Sequence, residues 1–311
     1  MLIKSADDKE PQIAILKNLL AHERVPLERK RLVERELRSL SIGMATEKQA
    51  AYEIDFYAAR SKNLCVIHDL RLEIDGRMAQ IDHILINRLL EVFVLETKTF
   101  STGLSINELG EFSTIYEGKE IGIPSPVEQN ARHISVLKDA FKEIGLPKRL
   151  GITLQPSFHS VVLVSPKSVI NRPQSSNMDA SIIKLDQFFS WYDKKLDEVK
   201  LKDTIGILKL CSSETVIGLG KKLHALHTPS RVDYIKKFEL EQVIVGKGWV
   251  AHMSSEATVV PDSTAERRGE EKKYFCANCK KPIAQVVAKY CWNNKSRFGG
   301  KAYCRVCQEN M

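Results

Sequence analysis

The sequence predicts an α/β (mixed α+β) protein in which a mixed β-sheet is flanked by helices. The first observation is the order of patterns between residues 46 and 165, which is helix, three strands, helix and strand. The second is the dipeptide Asp75-Gly76, a strong signal for a two-residue hairpin. The third is a pair of Cys-x-x-Cys motifs near the end of the chain, which indicates a separate small module. A chain of 311 residues has room for about two domains.

Residues 1–40 predict two charged helices. Pro11 and Pro26 each suit the first turn of a helix, where the missing N–H group has no intrahelical partner to lose. Packing against the main domain, homodimerisation and binding of a protein partner are all open roles for these helices. A third helix is predicted to begin near Thr46, because Thr46 and Gln49 have the spacing of a capping box.

Glu47 is a candidate site residue on this third helix. It falls on the face that would pack against the core. The apolar residues of that face are Ala50, Ala51, Ile54 and Ala58. An acid on such a stripe costs free energy unless it is paired or binds a cation. The alternative is that Glu47, close to the helix start, is simply solvated there.

Four strands and one further helix complete the predicted core. The strands are predicted at residues 64–73, 79–86, 92–99 and 157–165, with a weaker pair at 103–107 and 112–117. The helix begins after Ser125, with Pro126 in its first turn and Glu128 completing a capping box. Its apolar face consists of Val127, Ala131, Ile134, Leu137 and Phe141, and another face carries Gln129, Arg132 and His133.

Composition divides the chain into five segments. We expect N-terminal helices at 1–40, a core domain at 41–165, an extension of that core at 166–252, a linker at 253–271 and a cysteine-rich module at 272–311. Within the extension, a strand is predicted at 182–185 and helices at 186–196 and 215–227. The linker has small, polar and charged residues without periodic apolar spacing.

The stretch IDHILINRLLEVFVLETK, residues 81–98, predicts two strands folded back on each other. Alternate residues of a strand share a face, so Glu96 and Lys98 project together. Asp82 joins them only if the antiparallel register pairs residues whose numbers sum to an even value. A three-residue loop at 88–90 gives that register, whereas a two-residue loop does not.

In that register two carboxylates and one ammonium group converge at the end of an apolar hairpin. Carboxylate oxygens and waters suit Mg²⁺, which assists phosphodiester hydrolysis, and a nearby lysine can orient the attacking water or neutralise developing charge. The alternative is ordinary charge at solvated strand ends, because Glu-x-Lys occurs six times in the chain. Only the copy at Glu96 follows an apolar strand whose neighbour carries an aspartate. His83 would point to the opposite face, either as a packed histidine or as a support for the site.

The segment HDLRLEIDGRMAQIDHILINRLLEVFVLETKTF resembles the NERD (nuclease-related) domain, a branch of the PD-(D/E)XK nuclease superfamily. Its hallmarks here are Asp-His followed by apolar residues and a closing Glu-x-Lys, and the resemblance spans roughly residues 40–165. It implies a restriction-endonuclease-like core and a nuclease acting on DNA, with RNA as the other candidate polymer. By this resemblance, Asp82 and Glu96 ligate Mg²⁺ (or Mn²⁺), the backbone carbonyl of Thr97 is a further ligand, and Lys98 acts on the nucleophile.

The resemblance also carries two residues outside the hairpin. Glu47 matches the acid on the first helix of the superfamily, and Gln129 is similar to a glutamine that faces the site in related branches. His133 stands where those branches often have tyrosine, and the turn of the hairpin lacks the glycine common in the family.

The last forty residues predict a structural Zn²⁺ site. Two Cys-x-x-Cys pairs, Cys276 with Cys279 and Cys304 with Cys307, are separated by 24 residues, which suits a four-thiolate zinc ribbon or knuckle. Cys291 is the spare thiol. Disulfides are the weaker interpretation, because the sequence predicts a cytosolic protein and disulfides are rare in the cytosol.

Positive charge is concentrated in the same module. The chain has a net charge of +8, and residues 272–311 contain nine Lys and Arg residues with a single acid, Glu309. A basic module on a neutral body indicates a polyanionic partner, most often nucleic acid, and interleaved aromatic residues suit stacking on unpaired bases. A solubilising tail and a protein-binding module are the alternatives.

Three functions therefore remain open. They are a metal-dependent DNA nuclease with a zinc-stabilised DNA-binding tail, a non-catalytic nucleic-acid-binding protein on a nuclease-like scaffold, and a protein-interaction module. The charged start of the chain and the lack of about 18 consecutive apolar residues predict no signal peptide, no membrane partner and a cytoplasmic location.

Overall fold

A computed structural model describes residues 1–149, 151–173, 181–202, 210–244, 274–283 and 285–309. The chain forms two compact units. The first consists of Met1–Asp7 and Ala45–Ser230, and the second consists of Asp8–Met44 and Arg231–Met311. The predicted linker at 253–271 lies outside the described residues.

The first unit is built on a mixed six-stranded sheet. Its strands are β1 (Leu2–Lys4), β2 (Leu64–Ile74), β3 (Arg77–Asn87), β4 (Glu91–Lys98), β10 (Ser157–Val164) and β12 (Ile182–Lys184). The order across the sheet is β1-β2-β3-β4-β10-β12, antiparallel for β2-β3-β4 and parallel for the other neighbours. This arrangement confirms the predicted mixed sheet and the hairpin at Asp75-Gly76, where both residues have the positive φ of a tight turn.

Two small sheets contain the other described strands of this unit. Their strands are β5 (Leu104–Ile106), β6 (Phe112–Tyr116), β7 (Lys119–Ile123), β8 (Lys148–Arg149), β9 (Ile152–Thr153) and β11 (Ile170–Asn171). The order is β11-β5-β6-β7 in one and β8-β9 in the other. Strand β7 has no counterpart in the sequence prediction, because four of its five residues are exposed and it shows no alternation of apolar and polar residues.

Helices cover both faces of the main sheet. They are α2 (Leu27–Ala58), α3 (Pro126–Ile144), α4 (Phe188–Lys202) and α5 (Ser213–Ala225). Ile84 and Ile86 of β3 pack in one apolar cluster with residues of α3 and α5, whereas Leu85 packs in another with residues of α2 and α4. The alternation of the strand therefore separates the two faces of the sheet, as required for a site on one of them.

The prediction of a separate helix starting near Thr46 is wrong. Helix α2 runs without interruption from Leu27 to Ala58. No proline occurs in this range, and the single Gly43 costs the helix only about 1 kcal/mol, so local signals do not stop it. The Thr46 hydroxyl contacts the Thr99 hydroxyl, just beyond the end of β4.

The second unit contains two groups of elements. Helix α1 (Glu10–Ala21), the first part of α2 and helix α6 (Tyr234–Lys237) share a core of buried residues. Its members are Leu16, Leu19, Val25, Val33, Tyr234, Phe238, Leu240 and Ile244. The second group is the C-terminal module, with β13 (Tyr274–Phe275), β14 (Pro282–Ile283), α7 (Gln285–Asn293), α8 (Lys295–Phe298) and α9 (Arg305–Glu309). Within the described ranges, none of the helices is both long and apolar enough to cross a membrane.

Candidate functional site

The β3–β4 hairpin has the register on which the site depends. His83 lies opposite Leu95 and Ile84 lies opposite Val94, and residues 88–90 form the loop. The Asn87 side-chain oxygen accepts hydrogen bonds from the N–H groups of Leu89 (2.9 Å) and Glu91 (3.1 Å). These bonds hold the turn although Leu90, with φ 57°, occupies a conformation that favours glycine. The predicted even register is confirmed.

Asp82 is bonded directly to the end of β4. Its Oδ2 atom accepts hydrogen bonds from the backbone N–H (2.7 Å) and the hydroxyl (2.6 Å) of Thr97, the residue that follows Glu96. A slip of one residue would have turned Asp82 to the other face of the sheet. The two acids are instead brought to the same end of the hairpin.

Glu96 is the most enclosed member of the group, with 4% of its surface exposed. Its Oε1 atom accepts hydrogen bonds from the Lys98 ammonium (2.7 Å) and from the Gln129 amide (2.9 Å). Its Oε2 atom faces Nδ1 of His133 at 3.5 Å. Side chains of β4 and α3 thus surround a single carboxylate.

Asn130 fixes α3 against the strand that carries Glu96. It is fully buried, and its amide N–H groups donate to the Val94 carbonyl (2.8 Å) and the Ser160 hydroxyl (3.0 Å) on β4 and β10. The sequence predicts Ala131 on the buried face, but Ala131 is exposed and Asn130 is buried. The signal in the sequence is the spacing of positions 130, 134, 137 and 141, which lie on one face of the helix. A polar residue on an otherwise apolar face indicates a specific buried hydrogen bond.

The two acids have opposite pKa shifts. Burial, together with the nearby carboxylates of Glu96 and Glu47, raises the pKa of Asp82 to about 8, against the opposing bonds from Thr97. Burial also acts to raise the pKa of Glu96, but contacts with His133 and Lys98 lower it overall. Without a cation, the site therefore favours one protonated and one charged carboxyl group.

The donor set fits a hard divalent cation. A bound cation would offset both the burial and the repulsion that raise the pKa of Asp82, and carboxylate oxygens are the ligands that Mg²⁺ prefers. Among the described residues, only the four cysteines form a group of three or more His, Cys, Asp or Glu side chains with ligand atoms all within 4.8 Å of one another. At most two of the carboxylates near Asp82 would then contact one ion directly, and backbone carbonyls and waters would supply the other ligands.

The apparent affinity of this site for Mg²⁺ is expected to increase from about pH 6 to about pH 8. At low pH the ion must displace the proton of Asp82, whose pKa is about 8, and this displacement costs less as the pH approaches that value. Isothermal titration of the zinc-loaded protein across this range measures the effect. An affinity independent of pH would contradict the assigned protonation.

A matching effect on stability has the same cause. Because the folded pKa of Asp82 lies above its unfolded value, the metal-free protein loses stability as the pH rises from about 4 towards about 8. Thermal unfolding of an Asp82→Asn variant provides the control, since this variant lacks the titrating group and should lose less stability over the same range.

The remaining predicted residues lie elsewhere. His83 is buried on the opposite side of the sheet, where its Nδ1 lies 2.8 Å from Nδ1 of His68, and His68 contacts Asp55 of α2 at 3.2 Å. This location favours the packed-histidine interpretation.

A cavity of about 710 Å³ lies over the sheet formed by β5, β6 and β7, and none of the predicted site residues lines it.

The four cysteines predicted to bind zinc come together in the C-terminal module. Their ligand atoms all lie within 4.8 Å of one another, which suits four thiolates around one Zn²⁺. Burial acts to raise the pKa of Cys276, but backbone N–H groups, including those of Cys304 and Cys279, lower it to about 6. Cys291 is separate, because its sulfur interacts with Tyr303 and Gln308 within the core of the module.

Residues 42–165, which include the β3–β4 hairpin and helix α3, match the family model of the nuclease-related domain, NERD. No curated protein and no solved structure matches the chain.

Proposed function

We propose that the chain is a metal-dependent nuclease that hydrolyses DNA phosphodiester bonds. The observation that carries this proposal is the arrangement around Glu96, whose carboxylate is bonded to Lys98 while Asp82 is held beside it through Thr97. A buried acid with a raised pKa next to a second acid in a nuclease-related domain is typical of a site that needs a cation.

Each side chain has a distinct task in this proposal. Asp82 and Glu96, with the carbonyl of Thr97, would hold Mg²⁺ or Mn²⁺, which when bound polarises the phosphodiester and activates water. Lys98 orients the attacking water and offsets the charge that develops on the phosphoryl group. Gln129 fixes the orientation of Glu96 through its 2.9 Å bond, and Glu47 adds negative charge beside Asp82.

The C-terminal module is proposed to bind the nucleic acid. The net positive charge of the chain lies there, and Lys280, Lys281, Lys289, Lys295 and Lys301 are exposed. Phe275 and Trp292 expose 53% and 37% of their surfaces, so part of each ring is accessible to a ligand. Cations contact phosphates, while exposed rings stack on unpaired bases.

Phe275→Ala and Trp292→Ala are each expected to weaken binding of single-stranded DNA by about 1–3 kcal/mol for each stacked base lost. Duplex binding should change less, because paired bases are not available for stacking. Fluorescence anisotropy with labelled oligonucleotides measures both. Val306→Ala is the matched control, since Val306 is an exposed apolar residue of the same module without a ring. Equal losses in all three variants would count against stacking.

Incubation of the purified, zinc-loaded protein with Mg²⁺ or Mn²⁺ and linear, nicked, branched or single-stranded DNA tests the activity. Cleavage that requires the metal and Asp82 supports the nuclease. Salt-sensitive binding without cleavage would instead favour the non-catalytic nucleic-acid-binding protein. The observation that supports this alternative is that the basic residues and the acid pair lie in different segments of the sequence.

A further inference from the structure

Among the described residues, two buried polar atoms next to the Glu96–Lys98 pair have no hydrogen-bond partner. They are Oε2 of Glu96 and Nδ1 of His133, which lie 3.5 Å apart. The other oxygen of this carboxylate already accepts bonds from Lys98 and Gln129. Oε2 is therefore the oxygen that remains for an ion, and Nδ1 of His133 is the nitrogen that lies beside it.

The separation is long for a hydrogen bond and suitable for two ligands of one cation. A good N–H···O bond between heavy atoms is shorter than about 3.2 Å. An ion about 2.1 Å from each atom, a usual metal–ligand distance, would subtend an angle of about 110° between them. An unpartnered carboxylate oxygen and an unpartnered imidazole nitrogen thus form two corners of a coordination sphere.

We propose that Nδ1 of His133 is a metal ligand together with Oε2 of Glu96. This proposal rests on the proposed function in that it uses Glu96 as a metal ligand. It deepens that function by adding a nitrogen ligand, which favours a transition metal over Mg²⁺, because Mg²⁺ prefers oxygen ligands and retains its waters. Mn²⁺ is the transition metal used to test it.

The new assignment concerns Glu96 and His133 alone. In the described part of the chain, Asp82 does not form a group of three ligand atoms with Glu96 and His133 within 4.8 Å of one another. The ligand role proposed above for Asp82 on the same ion therefore requires a side chain to move when the ion binds.

The test measures Mn²⁺ binding to the full-length, zinc-loaded protein without DNA. Electron paramagnetic resonance of free Mn²⁺ gives the affinity, and pulsed measurements detect nitrogen bound directly to the ion. We expect a nitrogen signal in the native protein, its loss in His133→Asn, and about tenfold or more weaker Mn²⁺ binding in that variant. Mg²⁺ affinity should fall less. His224→Asn, at an exposed histidine, is the control and should keep both the signal and the affinity.

Three results would overturn the assignment. They are a native protein that binds no Mn²⁺ or binds it without a nitrogen signal, a signal that persists in His133→Asn, and Mn²⁺ binding as tight in His133→Asn as in the native protein. The last result would mean that His133 serves only as a charge partner of Glu96. If His133→Asn does not fold, His133→Phe replaces it. The presence or absence of a nitrogen signal in the native protein tests the assignment without any variant.

Cleavage assays separate this inference from the proposed function. A nitrogen signal that depends on His133, in a protein that cleaves no DNA, would support the metal ligand and reject the nuclease. Cleavage that depends on Asp82, with no nitrogen signal, would retain the nuclease and reject the ligand.

Discussion

Replacement of Lys98 by alanine is expected to reduce the rate of DNA cleavage by about 10²–10³-fold, the cost of removing a single charged or hydrogen-bonding group that acts on the transition state. Its ammonium group is held 2.7 Å from Glu96, where it would orient water and offset phosphoryl charge. Asp82→Ala should cost at least as much, because it removes one of the two proposed carboxylate ligands. Single-turnover rates with saturating DNA measure the effect on chemistry, and separate binding assays should show little change.

The chain provides its own matched control for this experiment. Glu117 and Lys119 form another Glu-x-Lys copy, at the exposed turn between β6 and β7. Alanine at both positions should leave the cleavage rate unchanged, because spacing alone does not create the site. Cleavage that persists in Lys98→Ala and Asp82→Ala would point to a contaminant or to a different site.

The register of the β3–β4 hairpin could be predicted because it depends on local information. A three-residue loop and the side-chain period of two determine which face Asp82 occupies. The structure adds the reason that a leucine is tolerated at the turn, since Asn87 satisfies two backbone N–H groups there. These two hydrogen bonds depend on the conformation of the turn itself, and no periodic pattern of apolar and polar residues in the sequence predicts them.

The contacts of Glu96 with α3 could not be predicted in the same way. Gln129 and His133 lie more than thirty residues from Glu96 along the chain, and their distances depend on the rotation of the helix on the sheet. Asn130 sets that rotation through buried bonds to β4 and β10. Residue types indicated which side chains were candidates, but the packing of α3 determines which of them meet.

Tertiary packing also explains why local signals failed in the N-terminal region. Thr46 and Gln49 have capping spacing, but α2 continues through them because no residue interrupts it and its flanks are packed. Tyr234 and Phe238 share a core with Leu16 and Leu19, more than two hundred residues earlier in the chain. Periodicity within a window of about 11–18 residues does not reveal such long-range pairing.

Cys304→Ser is expected to abolish zinc binding and unfold the C-terminal module, while the nuclease-related domain remains folded. The described part of the module is under forty residues long, a size at which a hydrophobic core alone rarely supplies enough stability. We therefore expect its fold to depend on Zn²⁺, because the free energy of metal binding becomes folding free energy when the site forms only on folding. Zinc content by mass spectrometry, proteolysis of the C-terminal region and calorimetry of the whole chain measure the three parts of this prediction. DNA affinity should fall along with the module.

Cys291→Ala distinguishes loss of a ligand from damage to the small core. Its sulfur accepts bonds from Tyr303 and Gln308 and belongs to the core of the module, but it lies outside the group of four thiols. This variant should lower the stability of the module yet retain one zinc ion per chain, because the four ligands are intact. One zinc ion retained in Cys304→Ser, or lost in Cys291→Ala, would show that the ligand set differs from the one assigned. Cleavage that survives in Cys304→Ser at high DNA concentration would locate catalysis in the nuclease-related domain, with the zinc module acting through affinity alone.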